Sequence, residues 1–299
     1  MERYYSLNQY FKNKYGEKVG KLSLDGGFSC PNRDGTLSTA GCIFCSEKGS
    51  GDFTNSGLSI RDQIERQKKV AKNKWKVSKF VAYFQAFTNT YGPVDILRKI
   101  YYQVLDDPEI VGLAIATRAD CLSDEILDLL EELSKLTDLW IEIGMQSVKE
   151  ETIDYINRGY SHKYLDQKLK ILRKRKIKFL LHVIFGLPGE DEKDMLVSIN
   201  YLNESGAFGI KIHSLYIQND SVLYKKYLED DFTILTKDQY TDLVVQALGL
   251  LNDDIVVHRI TGDGDKNKLV APLWSADKLS VIGEINRKLK IVNTKKERE

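Results

Sequence analysis

A partial (β/α)6 TIM-like barrel of the α/β class is the fold this sequence predicts, and three observations predict it. Short apolar runs alternate with longer amphipathic ones, the pattern of βα units around a parallel sheet. Several of the short runs are apolar nearly throughout, as strands covered on both faces are. The polar motifs fall where those runs end, which is the rim on which barrel chemistry is built. At 299 residues the chain is long enough for one such barrel with a sizeable core.

Strands are expected at 21–25, 80–85, 112–117, 139–143, 179–185 and 209–217. Between them, apolar residues recurring at helical spacing mark helices at 58–71, 94–105, 123–136, 150–158, 164–175 and 191–204. Ser123 precedes Ile126 and Leu127 as an N-cap, its hydroxyl satisfying a free N–H of the first turn. Asp34-Gly35 and Pro188-Gly189 are turn signals. Residues 1–217 are therefore read as the barrel with an N-terminal extension, and 218–299 as a mixed C-terminal extension that caps it. In the extension, helices are expected near 223–228 and 237–252, then an apolar run at 255–260 and a last helix from residue 277. The closing KKERE is expected to fray.

Three of the four cysteines lie in CPNRDGTLSTAGCIFC, residues 30–45. Eleven residues separate Cys30 from Cys42 and two separate Cys42 from Cys45, so one broad loop and one tight turn can aim three thiolates at one point. Three thiols cannot all pair as disulfides. The N-terminal MERYYSLNQYFKNKYG has neither a signal-peptide core nor a cleavage site, so a cytoplasmic, reducing location is expected. A metal suits the pattern. Structural zinc takes four protein ligands and would need a histidine beside the cysteines. A 4Fe-4S cluster on three cysteines leaves one iron open to a ligand. On the residues alone both stand. Cys121 is read as a small buried residue.

A three-cysteine loop after a first strand, ending in C-x-aromatic-C with Phe44 as the aromatic, resembles the cluster loop of radical S-adenosylmethionine (SAM) enzymes. Its wide first gap departs from the commonest CxxxCxxC spacing and is similar to the branch that includes the Elongator catalytic subunit. More narrowly, LDGGFSCPNRDG and GCIFCSEKGSGDF resemble the YhcC/YtqA type, over roughly residues 3 to 275. The resemblance implies a barrel of the radical SAM type, a 4Fe-4S cluster on Cys30, Cys42 and Cys45, and SAM held on the open iron. It further implies an electron donor such as flavodoxin or ferredoxin, and reductive cleavage of SAM to a 5′-deoxyadenosyl radical. The YtqA type is associated with tRNA, at the wobble-uridine step from 5-carboxymethylaminomethyl to 5-aminomethyl-2-thiouridine. A radical SAM enzyme of a small metabolite and a non-catalytic zinc module are the alternatives.

The same resemblance assigns cofactor contacts. MQSVKEETIDYINRGYS is similar to the family's GxQSxxxxxLxxxxR, which places Gln146 and Arg158 on SAM with Glu142 at the same strand end. HVIFGLPGE is similar to the adenine-side strand DxIxGLPG, with His182 where Asp is frequent and Gly186 as the point of close backbone approach. FQAFTNTYG lacks the family's GGE-like triplet but offers Gln85, Thr88 and Asn89. TRAD resembles a TRPD-type segment in which Thr117 reaches the ribose. In KIHSLYI, alternation puts Lys211 and His213 on one face, and VHRITGDG adds Arg259; these are the candidates for substrate contact and catalysis.

Lys+Arg total 44 against 43 Asp+Glu, so the net charge of +1 argues for no polyanion as a whole. Any nucleic-acid case is local: Lys68, Lys69, Lys72, Lys74, Lys76 and Lys79 around Trp75, and a second run over 168–178. Such runs are ordinarily solvated helix faces, yet they offer phosphate contacts with Trp75 for stacking. No apolar run is long enough to span a bilayer, so no membrane partner is expected.

Overall fold

The computed structural model describes residues 4–47, 49, 57–229, 232–262 and 264–296. The elements run α1 (Leu7–Tyr15), β1 (Val19–Leu24), α2 (Ile60–Trp75), β2 (Lys79–Phe84), α3 (Val94–Leu105), β3 (Ile110–Thr117), α4 (Asp124–Leu136) and β4 (Asp138–Gln146). They continue with α5 (Glu150–Tyr155), α6 (His162–Lys174), β5 (Lys178–Phe185), α7 (Glu192–Ser205), β6 (Gly209–Ser214) and β7 (Ile217–Gln218). Last come α8 (Val222–Leu228), α9 (Lys237–Leu250), β8 (Val256–Ile260), β9 (Leu269–Ala271) and α10 (Lys278–Lys296). Seven strands form one parallel sheet in the order β1-β2-β3-β4-β5-β6-β8, a curled half-barrel, and β7 pairs β9 antiparallel.

Strand alternation builds two apolar layers. Outward residues such as Leu22, Phe84, Leu113, Ile141, Leu181 and Ile210 join the helices in the main core. Inward residues Val81, Tyr83, Ala114, Trp140 and Leu180 fill the barrel's lower interior. Burial on both faces is why these strands read as unbroken apolar runs. Ser123 caps α4 as expected, its hydroxyl accepting from Ile126 N–H.

Three differences from the sequence reading bear on the site. The 255–260 run, expected in the capping extension, is β8 and extends the sheet beside β6. Helix α5 stops at Tyr155 rather than continuing to residue 158, because Asn157 and Gly159 turn left-handed, with φ of 53° and 87°. The run expected as one strand at 209–217 divides into β6 and β7, where Leu215 N–H bonds Phe185 O as the chain leaves the sheet.

Helix α1 was not anticipated, and it closes the bottom of the barrel. Ser6 caps it, Gly16 ends it in the left-handed region, and Leu7, Phe11 and Tyr15 share one face at helical spacing. Phe11 is 4% exposed and meets the Trp140 ring at 6.4 Å. The hydroxyls of Tyr10 and Tyr15 donate to Asp138 at 2.7 and 3.0 Å, and Lys14 and Lys178 each lie 2.7 Å from the same carboxylate. Val257 N–H donates to Tyr5 O at 2.8 Å, which ties this segment to the edge strand β8.

Of the expected fraying tail, residues 297–299 lie outside the described residues, and nothing is said of the side chains from 293 onward. Among the described residues no helix is long and apolar enough to cross a membrane.

Candidate active site

The cysteine loop is stitched in place by the turn that ends α5. Gly41 N–H donates to Asn32 O at 2.7 Å, Asn157 Nδ2 to Gly41 O at 2.7 Å, and Ile43 N–H to Ile156 O at 3.1 Å. The close pair turns as its spacing predicts, with Cys45 N–H on Cys42 O at 3.0 Å. Cys30, Cys42 and Cys45 all line one cavity over the C-terminal ends of the strands. A Cys45 thiol donating toward Cys42, with Arg118 nearby, holds Cys42 down at about 7. Among the described residues no three His, Cys, Asp or Glu side chains are drawn together tightly enough for a single ion. Three cysteines lining one cavity match the ligand count of a 4Fe-4S cube with one iron left open.

That cavity collects all but two of the cluster, cofactor and substrate candidates named from the sequence. Phe44, Gln85, Thr88, Thr117, Glu142, Gln146, Arg158, His182, Lys211, His213 and Arg259 line it beside the cysteines. Asn89 does not. It is fully buried, and its amide donates to Phe84 O, Ala86 O and Ala116 O at 3.0 to 3.1 Å, so it clamps the loop after β2. Gly186 does not line it either: its φ is +92°, its N–H donates to Met195 Sδ, and a Cβ there would meet Leu235 at 3.2 Å. Its positive φ suits a glycine to the turn after β5.

At the end of β4 two predicted contacts serve the backbone as well as the cavity. Gln146 sits at φ 58°, with its amide nitrogen donating to Gly144 O and Met145 O at 2.9 and 3.1 Å. Its oxygen is left as the acceptor for a ligand. Arg158 is 1% exposed and donates through Nη1 to Met145 O at 2.6 Å and through Nε to Tyr160 O at 3.0 Å. Only its Nη2 has no partner, which leaves one guanidinium nitrogen for a bound group. Arg118 forks onto Asp120 at 2.7 and 2.9 Å, and both guanidiniums flank the Tyr160 ring.

Below this level lies a charged layer that sequence reasoning only half found. Glu142 does not face the cofactor space alone. Its Oε1 receives Lys21 at 3.3 Å and the Trp140 indole at 3.2 Å, and its Oε2 receives Lys211 and His182. Burial raises this carboxyl, but Lys21 and Lys211 outweigh it and hold Glu142 well below the usual carboxylate range. Lys211 also donates to the buried Tyr83 hydroxyl at 3.1 Å. Burial, then Lys211, pushes His182 down to about 4, and burial followed by His182 lowers His213. Both imidazoles are thus neutral at pH 7. They stack 5.1 Å apart, and His213 Nε2 has no partner in the protein. Lys21 and Tyr83 were missed, although a lysine inside the otherwise apolar strand β1 was a signal.

The basic runs lie elsewhere. Both occupy helix C-termini and the strand starts that follow, the rim opposite the cysteines. Lys68 pairs with Asp107, Lys72 with Glu109, Lys79 with Glu17, Lys170 with Asp166, Arg175 with Asp128 and Lys178 with Asp138. A phosphate track joining them to the cavity mouth is therefore not supported.

Behind Gln146, the Ser147 hydroxyl donates to Glu190, whose carboxyl is pushed up to about 7 by burial. The folded state then holds a proton that the unfolded state releases, so stability contributed at acid pH is lost as pH rises from about 4.5 through 7. Glu190→Gln is expected to leave urea stability unchanged at pH 4 and to raise it by about 2 kcal/mol at pH 8. Equal effects at the two pH values would remove Glu190 as the cause.

Comparison with known proteins agrees with this arrangement. The Radical SAM superfamily model matches residues 32–202, and the Radical_SAM C-terminal domain model matches 207–291. The chain is 42% identical over 289 residues to YtqA of Bacillus subtilis, covering 96% of this chain and 90% of that one. It is 35% identical over 277 residues to YhcC of Escherichia coli K12, covering 92% and 89%. In fold it is similar to archaeal Elp3 of Methanocaldococcus infernus, with a TM-score of 0.66 at 16% identity, over 90% of this chain and 63% of that longer one. Matched over more than half its length by the superfamily model and over nearly all of it by YtqA, the chain belongs to the radical SAM superfamily.

Proposed function

We propose that this radical SAM enzyme acts on a tRNA wobble uridine, removing the carboxymethyl part of a 5-carboxymethylaminomethyl group to leave the aminomethyl form. The superfamily's cofactors are a 4Fe-4S cluster and SAM. When bound, the cluster supplies the electron that cleaves SAM to a 5′-deoxyadenosyl radical, and an external donor of the flavodoxin or ferredoxin kind renews it. Cys30, Cys42 and Cys45 are the residues to hold it. Gln146, Arg158 Nη2, Gln85, Thr88 and Thr117 offer polar groups to SAM, and Phe44 an aromatic face.

One observation carries the substrate reading. At the cavity floor two lysines, Lys21 and Lys211, face a single carboxylate, Glu142, beside two neutral histidines, and burial holds Lys211 well below the usual lysine range. An anion arriving from the mouth would favour the protonated form of Lys211 and be held by it. Lys211, His213 and Arg259 are placed to hold a substrate carboxylate there, with the target base turned out of its loop. The layer suits a small anionic metabolite equally well, and this is the second reading.

Nucleoside mass spectrometry of tRNA from cells lacking the gene separates the two. Accumulated carboxymethylaminomethyl-2-thiouridine is the expected result. An unchanged nucleoside profile overturns the tRNA substrate and leaves the small anionic metabolite.

A further inference from the structure

Asn32 lies two residues after Cys30 and is 1% exposed, although an asparagine in a polar loop would ordinarily face water. Its Nδ2 donates to Asn157 O at 2.7 Å and also reaches Cys42 Sγ at 3.6 Å, within range of an N–H···S hydrogen bond. The backbone of the same residue accepts from Gly41, one residue before Cys42, at 2.7 Å. The position is made by its neighbours. Gly159 has φ +87°, and a Cβ there would lie 3.3 Å from Asn32 Oδ1, so a side chain at Gly159 would press on the amide.

We infer that Asn32 is a positioning residue for the cluster, holding Cys42 in place and donating an N–H to its sulfur. The inference rests on Cys42 being a cluster ligand. A hydrogen bond to a ligand sulfur draws off electron density, and it strengthens when an added electron puts more charge on the sulfurs. It therefore favours the reduced state and raises the midpoint potential. In this wide-gap loop, the donor is brought to the sulfur by the turn after α5, the same turn that sends Arg158 under Gln146.

The test compares anaerobically reconstituted Asn32→Ala, Asn32→Ser, Asn157→Ala and Cys42→Ala proteins with wild type. Midpoint potential is read by EPR-monitored redox titration without SAM or substrate, and iron retention by release to a chelator. Asn32→Ala is expected to lower the reduced-to-oxidised ratio at fixed potential about tenfold, a shift of about 59 mV to more negative values for a one-electron couple. Asn32→Ser keeps a donor on a shorter stem and recovers part of that shift. Asn157→Ala cuts the stitch to Gly41 but spares the Asn32 amide, so it loses iron faster at an unchanged potential. If the Asn32→Ala protein fails to hold iron, Asn32→Ser carries the measurement, and its midpoint is expected between the shifted value and the wild-type one. A loaded Asn32→Ala protein with the wild-type midpoint overturns the inference, as does a loaded Asn32→Ser protein with that midpoint when Ala holds no iron. Cluster retention in Cys42→Ala overturns the ligand assignment instead, so the two failures are distinguishable.

Discussion

Alanine at any one of Cys30, Cys42 or Cys45 is expected to abolish stable iron–sulfur loading, while Cys121→Ala loads as wild type does. The three loop thiols line one cavity, and no further cysteine lines it with them. Cys121 is buried behind Asp120, where burial drives its thiol well above the ordinary range. Its backbone carbonyl accepts from Thr90 Oγ1 at 2.6 Å, an anchor that the substitution leaves intact. With no spare thiolate to replace a lost one, each single change removes a third of the protein's ligands. Iron and sulfide content of the four reconstituted variants is the measurement. Equal loss in Cys121→Ala would show that the cluster draws on a different set.

The second large effect is on stability and concerns Glu142. Glu142→Leu leaves Lys211 and Lys21 facing each other inside the barrel, and strips the acceptor from the Trp140 and His182 N–H groups. Removing one partner of a buried ion pair typically costs about 3 to 5 kcal/mol, because the other charge is stranded. Glu142→Leu combined with Lys211→Met takes out both charges and is expected to regain at least half of the loss. Urea denaturation of the apoprotein under reducing conditions reads both. A single-variant loss below about 1 kcal/mol would mean that Lys211 gives up its proton when the carboxylate is removed.

Much of this was legible because strands obey a period of two. Once β6 was placed, alternation put Lys211 and His213 on one face, and both line the cavity together with the strand-end residues Glu142 and His182. Asn89 and Gly186 are the two expected cofactor residues that do not line the cavity, and they share a reason. An asparagine that binds backbone carbonyls and a glycine that allows a positive φ carry the same letters as a ligand contact and a ligand clearance. Only the neighbours decide, and those come from Ala116 and Leu235, far along the chain. The basic runs misled in the opposite way. Their partners Asp107, Glu109 and Asp128 sit on other elements, so Lys68, Lys72 and Arg175, which belong to runs of one sign in sequence, are ion-paired in space. Asn32 had no local pattern to mark it, since its role is defined by a sulfur met only after folding.

The short helix beneath the barrel also sets a timetable. Residues 5–15 find their partners at Asp138, Trp140 and Val257, so this helix has nothing to dock on until β4 has formed and is tied to the sheet edge only once β8 has. Contacts this distant in sequence delay folding, because loop closure must precede any gain from them. Tyr10, Phe11 and Tyr15 gain their partners Asp138 and Trp140 with β4, and β8 then adds the backbone tie from Val257 to Tyr5. The base of the barrel is therefore covered only after the sheet it closes has formed, and its cover is fastened at the edge by β8.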